Sequence, residues 1–270
     1  MIHIATLHYR DDRWIDIQLR YLERHTDEPF LVYASLEGID LAYQARFHCA
    51  LDHTGLEPRL YQGSRTEAKL RLLSDEILRR ARTGDLLVFM HGDAFPIAEW
   101  VGPVRRMLEG SPLAAIRRDE NFEPIPHWSF CATTAGFWEE IGGDWSRGPT
   151  WESHGLHTDT GASLWEKLER RGIAWHPILR SNRTNLHPLW FGVYDGIVYH
   201  HGAGFRTPMS RADGTTYAHL PIPLRNFAGV RRRIANSMLS RRMHRRIRKD
   251  ERFHLALTQG DSMNRVAEAP

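Results

Sequence analysis

The residues that most suggest chemistry stand at the end of an apolar run. Residues 86–90 are all apolar, and His91, Gly92 and Asp93 follow them directly. In an open α/β sheet, ligands bind beyond the carboxyl ends of the strands, so a strand here would deliver Asp93 to a binding edge. A carboxylate at that edge suits Mg²⁺ or Mn²⁺, which prefer oxygen ligands and share them with substrate phosphates. The alternative is that Asp93 caps a helix beginning near Ile97.

A second carboxylate, Asp159, stands at the start of a helical pattern over residues 160–171. Leu164, Trp165 and Leu168 would form the buried side of that helix. A carboxylate in this position can accept a proton from an attacking hydroxyl. It can equally cap the helix by accepting hydrogen bonds from backbone amides. The residues alone leave both roles open.

Taken in order, several segments resemble GT-A-fold glycosyltransferases of the inverting family-two type. The first is the strand ending in His-Gly-Asp at 91–93, and the second is Phe-Trp-Glu-Glu-Ile-Gly-Gly at 137–143. The third begins with Asp-Thr-Gly-Ala-Ser-Leu-Trp and runs over 159–172. A further match is Tyr-His-His-Gly at 199–202, where a strand-like run ends in histidines. The resemblance covers roughly residues 2–206.

The resemblance implies roles for several of these residues. Asp93 would bind the metal and the donor diphosphate, and Asp159 would be the catalytic base. His201 would be a further metal ligand, with His200 as the alternative, because many GT-A enzymes place a late histidine there and imidazole suits Mn²⁺. His91 stands where the family's Asp-X-Asp segment has its first aspartate, and it could ligate the metal, contact a ribose or simply pack.

The same resemblance implies a nucleotide-binding side of the site. The end of the first strand would face the donor, which makes Thr6, Tyr9 and Arg10 candidates for base stacking and diphosphate contact. Arg10 could offset charge on the departing diphosphate, or it could belong to a solvated, self-paired turn over residues 10–13. Lys69 lies where this fold often contacts the nucleotide, and its alternative is an ordinary surface lysine.

The implied function is transfer of a sugar from a nucleotide-diphosphate sugar to an acceptor hydroxyl, with inversion and with help from Mn²⁺ or Mg²⁺. The acceptor would be a glycan, a lipid-linked molecule or a small molecule. Aromatic residues in the loops could stack an acceptor glycan, although packing is their commoner role. These residues are Trp128, Trp138, Trp145, Trp151, Trp190 and Phe191.

Two other classes of protein compete with a transferase. A metal-dependent phosphoesterase would normally use more acidic ligands and often two metals, and the sequence contains no such cluster. A non-catalytic protein that binds glycans or nucleic acid is the other alternative. Nucleic acid is the weaker of those two partners, because the chain contains no standard RNA- or DNA-binding motif.

Composition narrows the class of protein further. The 270 residues are 41% hydrophobic and 10% aromatic, which is enough for one large domain with an ordinary core. Cys49 and Cys131 lack metal-ligand spacing and fit a reducing compartment. The sequence opens without a signal-peptide pattern, and no apolar run approaches the ~20 residues of a membrane span. We therefore expect a cytoplasmic location.

Charge is distributed unevenly along the chain. Ten of the 36 basic residues and no acidic residue lie between positions 225 and 249, and the remainder carries 26 basic against 33 acidic residues. We expect a catalytic domain over 1–223 and a basic amphipathic tail over 224–270, in which two short helices are broken near 236–240. Such a tail could contact the inner face of an anionic membrane, or it could lie as a solvated helix on the acidic body.

Apolar runs that alternate with helix-period stretches predict an α/β fold with a mostly parallel central sheet flanked by helices. With the resemblance, the expected fold is a Rossmann-like GT-A domain followed by a basic helical tail. The predicted strands cover 2–8, 30–35, 59–62, 86–91, 113–117, 129–134, 173–179 and 197–201. The predicted helices of the domain cover 13–24, 41–51, 66–82, 97–108 and 160–171.

Overall fold

The computed structural model describes residues 1–52, 65–121, 123–147, 160–202 and 230–259. The strands are β1 (Ile2–Tyr9), β2 (Phe30–Glu37), β3 (Cys49–Asp52), β4 (Leu86–His91), β5 (Ala94–Pro96), β6 (Leu113–Arg118), β7 (Glu123–Thr134), β8 (His176–Ile178), β9 (Gly192–Tyr194) and β10 (Val198–His200). The helices are α1 (Ile15–His25), α2 (Arg65–Leu78), α3 (Val101–Gly110), α4 (Ala135–Glu140), α5 (Ala162–Arg170), α6 (Val230–Lys249) and α7 (Leu255–Thr258).

A seven-stranded sheet in the order β3-β2-β1-β4-β7-β6-β8 forms the centre of the molecule. Its strands run parallel to one another except β7, which is antiparallel to both β4 and β6. The prediction of an α/β fold with a mostly parallel sheet is therefore confirmed. This is the architecture that the resemblance to GT-A enzymes implies.

Both faces of the sheet are covered, which explains why the central strands are apolar throughout. On β4, Val88 and Met90 pack in one cluster with residues of α1 and α3, such as Ile15 and Val104. The alternate residue Phe89 packs on the opposite face, in a second cluster that includes side chains from α2, α4 and α5. Successive side chains of a strand point to opposite faces, so β4 anchors both layers at once.

A second, three-stranded antiparallel sheet has the order β5-β10-β9. Strand β5 follows β4 after only two residues, Gly92 and Asp93, and it pairs with β10 so that Ala94 lies opposite His200. The turn formed by these two residues therefore connects the large sheet to the small one. Side chains at the ends of β4 and β10 are brought to the same place.

Residues 230–249 of the basic tail form one continuous helix, α6, instead of the two short helices that we predicted with a break near 236–240. Met243 and Ile247 are buried in a third apolar cluster with Trp14, Phe95 and Tyr199. Leu239 is partly buried against the same cluster, so this face of the helix packs on the body from within the predicted break onward. No helix among the described residues is long and apolar enough to cross a membrane.

One predicted helix is wrong. Residues 41–51 form a 3₁₀ helix over Leu41–Arg46 followed by β3, which pairs in parallel with β2. The short strands β5 and β9 were not predicted, and the predicted strand over 59–62 lies outside the described residues. The other predicted elements of the domain are present with shifted ends, such as β7, which begins at Glu123 instead of 129.

Candidate metal and nucleotide site

Three side chains converge where β4 and β10 end. Asp93 Oδ1 lies 3.7 Å from Nδ1 of His91 and 3.6 Å from Nε2 of His200. One ligand atom from each of the three residues lies within 4.8 Å of the other two. Among the residues that the structure describes, this is the one group of three or more His, Cys, Asp or Glu side chains with such geometry.

These separations fit the ligands of a single ion. Nitrogen and oxygen ligands lie about 2.0–2.2 Å from ions such as Mg²⁺ and Zn²⁺, so two ligands of one ion are roughly 3.0 Å apart at a right angle and roughly 3.4 Å apart at a tetrahedral angle. The observed 3.6 and 3.7 Å are too long for direct hydrogen bonds. Nε2 of His91 and Nε2 of His200 are buried and have no hydrogen-bond partner in the described part of the chain. The three residues therefore fit a divalent cation.

The protonation states also suit a metal. Burial lowers the pKa of His91 to about 4, although nearby Asp93 opposes part of that shift, so the ring is neutral near pH 7. Burial alone would raise the pKa of Asp93. The adjoining rings of His200 and His91 outweigh burial and hold that pKa well below its ordinary value. A neutral imidazole and an ionised carboxylate are the forms that bind cations.

The turn that carries Asp93 is held by the amide of Gln18, which is completely buried on α1. Its Nε2 donates to the backbone carbonyls of His91 at 2.7 Å and Ala94 at 2.8 Å. Its Oε1 accepts from the Thr6 hydroxyl at 3.1 Å and from Nε2 of His8 at 3.2 Å. One side chain therefore ties α1 and β1 to both sides of the turn.

Gly92 is required by a close approach between strands. A Cβ at this position would lie 2.5 Å from the Leu7 carbonyl oxygen and 2.7 Å from Nδ1 of His8. The absence of a side chain at this position therefore lets the turn lie against β1, the neighbouring strand.

Three predicted donor-binding residues come together at the carboxyl ends of β1 and β2. The Arg10 guanidinium carbon lies 4.9 Å from the centre of the Tyr9 ring, and Nζ of Lys69 lies 5.7 Å from it. Lys69 is buried and forms an ion pair with Glu37, so it is not an ordinary surface lysine. Leu7 pairs with His91 across β1 and β4, which puts this group and the metal cluster at the same edge of the sheet.

Two other predicted residues lie elsewhere. Thr6 is fully buried, and its hydroxyl is used by Gln18 inside the protein. The ring of His201 packs 4.5 Å from that of Trp14, and its Nε2 lies 2.9 Å from the Ser240 hydroxyl. The structure therefore brings the alternative, His200, to the metal cluster instead of the preferred His201, and it turns Thr6 away from a donor.

The residues at which α3 and α5 begin bear on whether Asp93 and Asp159 cap these helices. Helix α3 begins at Val101 with Trp100 as its N-cap, so Asp93 does not cap it. The N-cap of α5 is Gly161, with φ of 113°, so that position does not belong to Asp159. Asp159 itself lies outside the described residues, and its role as catalytic base stays a prediction.

Most of the aromatic residues that we considered for stacking an acceptor glycan are buried in the core of the protein. Trp138 and Trp145 are buried with Phe89 beneath the large sheet, and Trp190 and Phe191 are buried in the third cluster. Trp151 lies outside the described residues. Trp128 alone among the described members of the set touches the site, since its ring centre is 3.6 Å from that of His91.

The sequence reasoning missed two residues besides Gln18. Glu37 ends β2 at the same edge of the sheet. Its position at the end of a largely apolar strand could have marked it as a residue of this edge. His127 lies on β7 with its ring centre 5.3 Å from that of His91. Its Nδ1 accepts from the Ser129 backbone N–H at 3.1 Å, which leaves Nε2 as the protonated nitrogen if the ring is neutral. Nothing in the local sequence of His127 marks it as part of a site.

No protein-family model matches the chain, and no curated protein matches it at a significant level. Two glycosyltransferase structures are among its structural neighbours. The apo structure of the WbbM bifunctional glycosyltransferase aligns at TM-score 0.39 and 12% identity, over 52% of this chain and only 32% of that chain. The galactosyltransferase LgtC, in complex with donor and acceptor sugar analogs, aligns at TM-score 0.36 and 11% identity, over 65% of this chain and 67% of that chain. Because both TM-scores are below 0.5, neither alignment bears on function. The function proposed below rests on the geometry of the site.

Proposed function

We propose that this chain is a metal-dependent glycosyltransferase that uses a nucleotide-diphosphate sugar as donor. The observation that carries the proposal is the cluster of His91, Asp93 and His200 at the carboxyl end of the central strand, in which His91 is partly exposed and the other two are buried. Beside it, at the same sheet edge, Tyr9 and Arg10 are exposed. A cation site next to an exposed aromatic ring and a guanidinium is suited to a nucleoside diphosphate.

Each group would have a distinct task. A divalent ion, Mn²⁺ or Mg²⁺, would offset the negative charge of the diphosphate when bound by the cluster. The guanidinium of Arg10 can donate two parallel hydrogen bonds to phosphate oxygens, and its planar geometry suits that role better than an ammonium. The ring of Tyr9 offers a face on which a nucleobase can stack. Lys69 supplies positive charge beneath that ring, although its ion pair with Glu37 reduces the net field.

We assign Asp159 as the base that removes the proton of the acceptor hydroxyl. The acceptor oxygen would then bond to the anomeric carbon with inversion, as the bond from that carbon to the diphosphate breaks and the nucleoside diphosphate leaves. This assignment follows from the family-two resemblance and from the position of Asp159 just before α5. We propose a hexosyl donor, an acceptor that is a glycan, a lipid-linked molecule or a small molecule, and a cytoplasmic location.

A phosphoesterase is less well supported by the same site. Such enzymes often hold two metals about 3.5–4 Å apart between several carboxylates. In the described ranges of the chain there is one cation cluster, and it contains a single carboxylate. That composition suits binding of one ion that is shared with a substrate diphosphate.

The test is release of nucleoside diphosphate from a panel of nucleotide sugars in the presence of Mn²⁺. We expect Asp93→Ala to lose both turnover and the thermal stabilisation by Mn²⁺ plus nucleoside diphosphate. Asp75→Ala removes an exposed carboxylate from α2 and should retain both. Asp159→Asn should lose turnover but keep the stabilisation. Unchanged stabilisation in Asp93→Ala would contradict the metal assignment, and full turnover in Asp159→Asn would contradict the base.

A further inference from the structure

Helix α6 presents a face to solvent that differs in composition from the face packed on the body. Ile234 and Met238 are 57% and 66% exposed, and they lie about one turn apart on the same side of the helix. Further along the helix the exposed residues are basic. They are Arg241, Arg242, Arg245, Arg248 and Lys249.

Helical geometry places these side chains together. At 3.6 residues per turn, Ile234, Met238, Arg241, Arg245 and Arg248 fall within an arc of about 80° on one side of the helix. The buried side chains that anchor α6 to the body lie on the opposite side. The outer face is therefore a continuous strip, apolar toward the N-terminal end and basic toward the C-terminal end.

Within the described residues, the basic side chains of this strip have no acidic partner. The segment between 230 and 249 contains no acidic residue. In the described part of the chain, the five exposed basic residues of α6 form no ion pair, whereas the less exposed Arg246 lies 3.9 Å from Asp250. Helix α6 does lie on the body, as the alternative expects, and these charges point away from that body into solvent.

We propose that this face of α6 docks on the surface of an anionic phospholipid bilayer. The basic side chains would lie among headgroup phosphates, while Ile234 and Met238 would enter the boundary between headgroups and acyl chains. Stable binding of a surface helix needs both kinds of contact, and α6 has both. A nucleic-acid duplex would use only the charges and would leave the two apolar side chains without a partner. The inference does not depend on the transferase assignment.

The test is cosedimentation of the full chain with vesicles of phosphatidylcholine alone or mixed with phosphatidylglycerol. We expect binding only to the mixed vesicles, weakened by added salt. Each basic residue near such a surface contributes about fivefold to partitioning, so Arg241→Gln with Arg245→Gln should weaken it roughly 25-fold. Ile234→Ser with Met238→Ser should also weaken binding, without changing the net charge.

A matched control removes the same charge from another exposed helix. Arg105→Gln with Arg106→Gln on α3 should leave partitioning within about twofold. Equal losses in the α3 and α6 variants would show that net charge alone drives binding, which would overturn the proposal. Binding of duplex DNA in preference to mixed vesicles, with no effect of the two serine substitutions, would overturn it as well. All variants are at exposed positions, and circular dichroism would verify that they fold.

Discussion

At the scale of single residues, the geometry of the site depends on an amide that is not a candidate ligand. Gln18 donates to the two carbonyls that bracket Gly92 and Asp93, and it accepts from two side chains of β1. A buried group with four satisfied hydrogen bonds has one favourable orientation, because any other leaves several polar atoms unpaired. The position of Asp93 is therefore specified from a distant helix.

Replacing Gln18 by Glu removes both donors and keeps the size of the side chain. We expect a loss of about 2–5 kcal/mol in the free energy of unfolding, because two carbonyls lose partners and a charge is buried. We also expect weaker binding of Mn²⁺ by the folded protein, as measured by electron paramagnetic resonance of the free ion. Thr6→Val, which removes one bond on the other side of the amide, should cost about 1 kcal/mol and leave Mn²⁺ affinity nearly unchanged. Wild-type affinity in folded Gln18→Glu would contradict this role.

Gly92 can be tested with a second glycine of the chain as its control. Gly92→Ala would drive a methyl group against a backbone carbonyl and the ring of His8, so we expect a loss of about 2–4 kcal/mol and a lower Tm. Gly84→Ala meets no atom within 4 Å and should be neutral or slightly stabilising. Similar Tm values for the two variants would show that the turn does not lie against β1 as described.

The histidine beside Asp93 at the end of β10 illustrates what the sequence could and could not specify. Successive side chains of a strand point to opposite faces, so of His200 and His201 at the end of β10 only one could face Asp93. The choice depends on the pairing of β10 with β5, and β5 is a three-residue strand with no periodic signal of its own. The sequence was enough to predict a late histidine near Asp93, but not to decide which of the two neighbouring histidines it would be.

At the scale of elements, long periodic segments were predicted well and short ones poorly. The central strands and α2 have clear patterns because each buries a continuous face. The region 41–51 has a helix-like spacing of apolar residues, yet its second part becomes β3 because it completes the edge of the sheet beside β2. Tertiary pairing overrides local propensity at such positions. The site depends on these short elements. The edge of the sheet at which it lies was therefore predictable, but the exact set of side chains that meet there was not.

Helix α6 provides a prediction at this scale, since its two faces should respond differently to the same change. Met243→Ala and Ile247→Ala remove buried side chains from the third cluster, and each should lower the free energy of unfolding by about 2–4 kcal/mol. Ile234→Ala and Met238→Ala alter the exposed face and should change it by less than about 0.5 kcal/mol. Urea denaturation measures both. Equal effects on the two faces would mean that α6 is not docked on the body in solution.

At the scale of the whole molecule, buried neutral histidines make stability depend on pH. His8 is almost completely buried on β1, and burial lowers its pKa to about 4, which its bond to Gln18 only partly opposes. In the unfolded chain its pKa returns to about 6.5. Between these two values the unfolded chain binds a proton that the folded protein excludes, so the free energy of unfolding falls as the pH is lowered.

The contribution of His8 can be isolated by comparing the wild type with His8→Gln, which cannot titrate. As the pH falls from about 6.5 to 4, we expect the wild type to lose about 3 kcal/mol more in the free energy of unfolding than the variant. Above pH 7 and below about pH 4 the difference between the two should be constant. Urea denaturation in metal-free buffer at a series of pH values measures it, and the other buried histidines cancel because both proteins contain them. Parallel curves across the whole range would show that His8 is protonated, or open to solvent, in the folded protein.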